Sequence, residues 1–138
     1  ADDESLTWLS RLGRDVGTAF QLRDDLLGVF GDPEVTGKPA GDDLREGKRT
    51  VLVALAYRSA TESQRALLRR DLGRSDLTQS EVGALRELLV TTGALADVER
   101  RIQELSASAK VTLATPPSGT GDLALLTRLV DAAITRTA

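Results

Sequence analysis

The sequence predicts an all-α fold, a helical bundle, and three observations carry that expectation. Apolar residues recur at intervals of three and four along most of the 138 residues. No stretch alternates apolar and polar residues for long enough to read as a strand. Aromatics make up only 3% of the chain, so leucine, alanine and valine must build the core, and the unbranched members of that set lose little rotamer freedom in a helix.

The first element is predicted from Glu4 to Phe30, where no proline interrupts. Leu9, Val16, Phe20 and Leu27 form one apolar row, and Ala19, Leu22, Leu26 and Val29 a second. A helix of that extent is about 40 Å long, and apolar rows on two sides suit a central position. Gly31 to Gly41, with three glycines and two prolines, reads as a loop. Asp42 or Asp43 can cap the next helix, whose apolar row is Leu44, Val51, Leu52 and Leu55 and which would carry Lys48 in its first turns. A short helix is expected around Gln64 to Leu72. Thr78 and Glu81 have capping-box spacing and open a helix with Val82, Leu85 and Leu89 inward, ending at Gly93. Leu95, Val98, Ile102, Leu105 and Ala109 mark a long helix ending before Pro116 and Pro117, and Leu123, Leu126, Val130 and Ile134 a closing one. The glycine loop and PPSGTG are short enough to lie within one domain, so residues 1–138 read as a single unit.

Composition narrows the chemistry. A net charge of −3 with no dense basic cluster argues against nucleic acid as a partner. Without cysteine or histidine there is no disulfide, zinc–thiolate site or imidazole catalysis, and a metal would need oxygen ligands, which points to Mg²⁺ or Ca²⁺. No apolar run approaches the roughly 20 residues of a transmembrane segment, and ADDES lacks the basic start of a signal peptide, so a cytoplasmic location is expected. The absence of methionine implies either a processed start or a piece of a longer chain.

The informative stretch is FQLRDDLLGVFGDPEVTGKPAGDDLREGKRT, from Phe20 to Thr50. Gly17, Gln21, Asp24 and Gly28 share one helix face, with Thr18 and Asp25 beside it. Glycine inside a helix costs roughly 1 kcal/mol relative to alanine, so this row suggests that something approaches the backbone closely, either a ligand or a neighbouring helix. Adjacent carboxylates repel when shielded from water, and a divalent cation relieves the repulsion. Mg²⁺ held by Asp24 and Asp25 against a diphosphate, with Lys38 and Lys48 on the same oxygens, is one reading. A solvated acidic face paired with arginines such as Arg23 is the other, and the TGK triplet lacks the glycine spacing of a P-loop.

Taken together, GTAFQLRDD, GDPEVTGK and DDLREGK resemble the second aspartate-rich region of the trans-isoprenyl diphosphate synthases, the polyprenyl synthetase family, and TGALADVERRIQEL and the closing helix are similar to later helices of that family. The resemblance implies the C-terminal part of the isoprenoid synthase fold. It also implies an Mg²⁺-dependent prenyltransferase that ionises an allylic diphosphate and joins it to isopentenyl diphosphate, acting as a homodimer, with geranylgeranyl or polyprenyl diphosphate as product. On that resemblance Asp24 is a metal ligand and Asp25 a second ligand or outer partner. Lys38 and Lys48 hold the allylic diphosphate, Phe20 and Gln21 line the isopentenyl side, and Asp43 orients the following lysine.

Two departures from the family pattern are visible. DDLLG replaces DDxxD, leaving Gly28 where a third carboxylate is usual, with Asp32 beyond the helix. The family's first aspartate-rich motif has no counterpart before Gly17, since Asp2 and Asp3 lack its sequel. The chain is therefore expected to be a C-terminal half, inactive alone. A non-catalytic helical subunit derived from such a synthase is the alternative, and a terpene cyclase is disfavoured because no Asn-Ser-Glu type metal site is present.

Overall fold

The computed structural model describes residues 3–121 and 123–135, so Asp2 lies outside the described residues. The described residues form eight α-helices and no strand: α1 (Asp3–Phe30), α2 (Pro33–Thr36), α3 (Asp42–Glu46), α4 (Val51–Ser59), α5 (Glu62–Asp71), α6 (Gln79–Thr91), α7 (Ala94–Ala114) and α8 (Ala124–Ile134). The all-α expectation holds, and none of these helices is long and apolar enough to cross a membrane.

Two compact units divide the chain, one drawn from Ala1–Arg23 and Arg100–Arg136, the other from Asp24–Glu99, as far as these are described. In the first unit, Trp8, Leu12, Ala19, Ala109, Val130 and Ile134 make a buried cluster, with Val16, Leu105, Leu113, Leu123 and Leu126 against it. The Trp8 indole donates to the Thr112 carbonyl at 2.7 Å, which satisfies its only polar atom inside that cluster. Ser108 donates to Asp15 at 2.6 Å, and Arg23 Nη2 donates to the Ile134 carbonyl at 3.3 Å.

In the second unit α6 packs on both α4 and α5. Thr78 and Glu81 form the expected capping box, and Val82, Leu85 and Leu89 are buried. α5 opens on a second such box, Thr61 with Gln64, whose Thr-x-x-Gln spacing was readable but not singled out. Arg86, on α6, donates from Nε to the Val29 carbonyl at 2.6 Å. That carbonyl is among the last of α1, which has no basic residue of its own in its final turn, so α6 supplies the cation that the helix end favours. Burial, followed by the nearby charge of Arg45, pulls the Arg86 pKa down.

Three expectations are corrected. The α1 row Ala19, Leu22, Leu26 and Val29 is buried, but Leu9 and Phe20 of the other row are 46% and 38% exposed. The segment from Asp42 to Ser59 is two helices, because Gly47 adopts φ 69° and ends α3, and Thr50 starts α4 afresh as its N-cap. Lys48 therefore lies between helices, and Val51 is 40% exposed. Neither Asp42 nor Asp43 caps α3: Gly41 holds that position, and the two acids are its first helical residues.

Candidate functional site

The second unit holds Asp24, Asp25, Lys38, Asp43 and Lys48, whereas Phe20 and Gln21 fall in the first, earlier on α1. Asp24 is half-buried and Asp25 only 4% exposed, so the pair is not a solvated face. Gln21 and Phe20 are exposed.

After α1 the chain turns at Gly31 and enters α2. Asp32 caps this single turn, accepting from the Glu34 amide at 3.0 Å, and Gly37 closes it with φ 73°. Asp32 is thus a local capping residue. Lys38 follows, exposed, its amide donated to Thr36 Oγ1 at 3.3 Å. The chain then meets α6 at Gly41, where an added Cβ would strike Val82. Arg45 fixes this passage by donating to the Ala40 carbonyl at 2.6 Å and to the Leu77 carbonyl at 3.2 Å.

α3 then brings Asp43 back to α1. A Cβ on Gly28 would fall onto the Asp43 carboxylate, overlapping Oδ2 and Cγ and lying 2.9 Å from Oδ1. Asp43 is 6% exposed, and its Oδ2 accepts no hydrogen bond among the described residues. Lys48 Nζ approaches that oxygen to 3.6 Å, and the Lys48 amide donates to the Asp43 carbonyl at 3.1 Å, so backbone and side chain tie the two residues together. The positive φ of Gly47 makes the reversal, and Gly47 lies against Gly73, whose amide donates to the Leu44 carbonyl at 2.8 Å. Carboxylate oxygens of Asp42, Asp43 and Glu46 lie within 4.8 Å of one another, an acidic grouping in which Asp42 and Glu46 were not anticipated.

The close approach that the glycine row suggests is therefore present at Gly28, where the neighbour is a side chain of α3. At Gly17 nothing lies within 4 Å of where a Cβ would be.

This arrangement of helices is that of the all-α prenyl synthases. The crystal structure of a geranylgeranyl pyrophosphate synthase from Corynebacterium glutamicum, complexed with isoprenyl diphosphate and magnesium, matches with a TM-score of 0.86 and 40% identity over 99% of this chain and 39% of that one. A geranylgeranyl pyrophosphate synthetase from Pyrococcus horikoshii matches with a TM-score of 0.85 and 29% identity over 98% of this chain and 40% of that one. By sequence the chain is 40% identical to the geranylfarnesyl diphosphate synthase of Aeropyrum pernix over 101 residues, 73% of this chain and 30% of that protein. The geranylgeranyl diphosphate synthase of Mycobacterium tuberculosis is 40% identical over 93 residues, 67% of this chain and 27% of that protein. The polyprenyl synthetase family model matches residues 1–89. The chain belongs to the polyprenyl synthetase family, and it spans about 30% of the length of the relatives it matches by sequence.

Proposed function

We propose that this chain is the part of an isoprenyl diphosphate synthase that binds Mg²⁺ and the diphosphate of an allylic substrate, for condensation with isopentenyl diphosphate. The observation that carries this reading is the seating of Asp43: a buried carboxylate, paired with Lys48 and set against the helix that bears Asp24 and Asp25.

The donor set fits magnesium. The acids offer hard carboxylate oxygens, those of Asp42, Asp43 and Glu46 lie within 4.8 Å of one another, and Asp43 Oδ2 accepts no hydrogen bond from the described residues. Asp24 would hold the ion, with Asp25 as second ligand or outer partner. Bound Mg²⁺ supplies positive charge to the diphosphate oxygens as negative charge builds on them. The residues of the chain do the rest. Lys48, ion-paired with Asp43 at 3.6 Å, presents an ammonium beside that carboxylate, positive charge already in place when negative charge develops nearby. Lys38 adds a second ammonium from the turn after α2, and Phe20 and Gln21 line the isopentenyl side. Residues 1–138 then form one half of a single helical domain, inactive without the other half, and the whole enzyme is a homodimer making geranylgeranyl or longer prenyl diphosphates. The magnesium and isoprenyl diphosphate in the Corynebacterium glutamicum structure support this reading.

The test is Asp24→Ala in the full-length protein. Loss of several kcal/mol of metal-derived stabilisation corresponds to about two to four orders of magnitude in turnover, with helix content by circular dichroism unchanged. Turnover equal to that of the parent would refute the metal role of Asp24.

A further inference from the structure

We propose that Arg86 is a positioning residue. From α6 it clamps the root of the loop that carries Lys38, and so sets where that lysine presents its ammonium. The inference rests on the diphosphate reading above for the role of Lys38, but the clamp itself can be tested without it.

The loop leaves α1 after Phe30 and reaches α3 at Asp42. Its first half is folded on itself: the Gly31 amide donates to the Leu27 carbonyl, the Thr36 amide to the Asp32 carbonyl and the Gly37 amide to the Pro33 carbonyl, each at 2.9 Å. A loop closed by its own bonds moves as a body, so its placement depends on its two ends. Both ends meet α6. At the entry, Arg86 Nε donates to the Val29 carbonyl at 2.6 Å. At the exit, Gly41 lies so close to Val82 that a Cβ there would strike it. Val82 and Arg86 are four residues apart on α6, on one face and about one turn from each other. Residues 31–41 thus start and finish on a single turn of that helix. Arg86 is no surface residue casually touching a carbonyl. Its Nη2 is buried without a hydrogen-bond partner among the described residues, and the charge of Arg45 stands nearby. Burying a guanidinium under those conditions is unfavourable, and an uncharged side chain would fill the space at lower cost. What the arginine supplies there is the bond to Val29.

Hydrogen exchange of the full-length protein, followed by mass spectrometry, reads the clamp directly. Methionine at position 86 keeps the helix propensity and the apolar stem of arginine but donates nothing, whereas the side-chain nitrogen of glutamine can sit where the arginine Nε does. Arg86→Met should speed exchange of the amides of residues 31–41 about tenfold or more, with those of α5 unchanged, and Arg86→Gln should stay within about threefold of the parent. Unchanged loop protection in Arg86→Met, equal acceleration in α5, or equal loss in both variants would overturn the clamp.

Isothermal titration of inorganic pyrophosphate in the presence of Mg²⁺ asks whether the clamp acts through Lys38. Lys38→Ala and Arg86→Met should each weaken binding about tenfold, and the double variant should bind within about twofold of Lys38→Ala alone. Losses that multiply in the double variant would overturn the positioning role. Binding by Lys38→Ala equal to that of the parent would overturn the diphosphate role of Lys38 and the positioning role with it, while loop exchange would still decide the clamp.

Discussion

Three carboxylates of the second unit are almost completely buried, Asp25, Asp43 and Asp71, and the last two are treated in opposite ways. Asp71, at the end of α5, is 1% exposed and gripped from both sides: Arg70 bonds both of its oxygens, at 2.9 and 3.0 Å, and Arg74 bonds Oδ1 at 3.0 Å. Arg74 also reaches Asp76 and Glu81, so the corner between α5 and α6 is a closed network of alternating charge. Asp43, at the start of α3, is 6% exposed and, among the described residues, its side chain has a single partner in Lys48 at 3.6 Å and its Oδ2 accepts no hydrogen bond. A buried charge with both oxygens hydrogen-bonded is a structural device, whereas one left short of partners raises the energy of the folded state unless something completes it. On the reading proposed above, the difference separates a group that holds the fold from one that a ligand would complete.

The largest test of that contrast is Asp71→Asn. Losing charge-assisted bonds at a buried position, offset by rehydration of the two partly exposed arginines, should cost about 2–3 kcal/mol in denaturant unfolding. A cost below about 0.5 kcal/mol would remove the distinction between the two sites.

Acid should expose the same asymmetry. The side-chain hydrogen bond from Arg70, aided by that from Arg74 and opposed by burial, holds the Asp71 carboxyl below its ordinary value of 3.8. Its folded pKa lies below the unfolded one, so its stabilisation is complete well above pH 3.8 and is lost as pH falls through that value toward the folded pKa. Asp76 and Glu81, also pulled down, act in the same direction. Stability measured from pH 6 downward should fall in the parent, and the fall should be shallower in Asp71→Asn.

Gly47→Ala comes next. A non-glycine residue at φ 69°, with its Cβ 2.9 Å from the Gly73 Cα, should cost about 1–2 kcal/mol and weaken magnesium pyrophosphate binding by displacing Lys48. The smallest expected effect on stability is that of Asp43→Asn. An ion pair with a lysine side chain that is 41% exposed contributes little, and removing an under-bonded buried charge offsets it, so the net change should stay within about 1 kcal/mol while pyrophosphate affinity drops. Equal losses of stability from Asp43→Asn and Asp71→Asn would show the two carboxylates to be alike.

Much of this could be read from the chain itself. Capping chemistry marked the start of α6, and continuous helical periodicity marked α1 and α7, because those signals are local. The break at Gly47 was not anticipated, since a glycine inside an apolar-periodic run costs little enough to be tolerated in a helix. What ends the helix is the positive φ there, backed by Gly73, a residue 26 positions later. The Asp71 network was equally hidden, because a run of arginines and aspartates normally reads as solvated surface, and only packing in three dimensions buries its centre. At the candidate site, motif order singled out Asp24, Asp25, Lys38, Asp43 and Lys48 as candidates, while the contact between Gly28 and Asp43 is non-local and appears only when α3 returns to α1.

The indole that donates to Thr112 belongs to the only tryptophan of the chain, and the only tyrosine, Tyr57, lies on α4 in the other unit. The two units therefore carry separate optical labels. Fluorescence excited selectively at the indole follows the unit around Trp8, and tyrosine absorbance follows the one that contains Asp43. A denaturation experiment on the unlabelled chain can thus ask, from the overlap or separation of two spectral transitions, whether the units melt together.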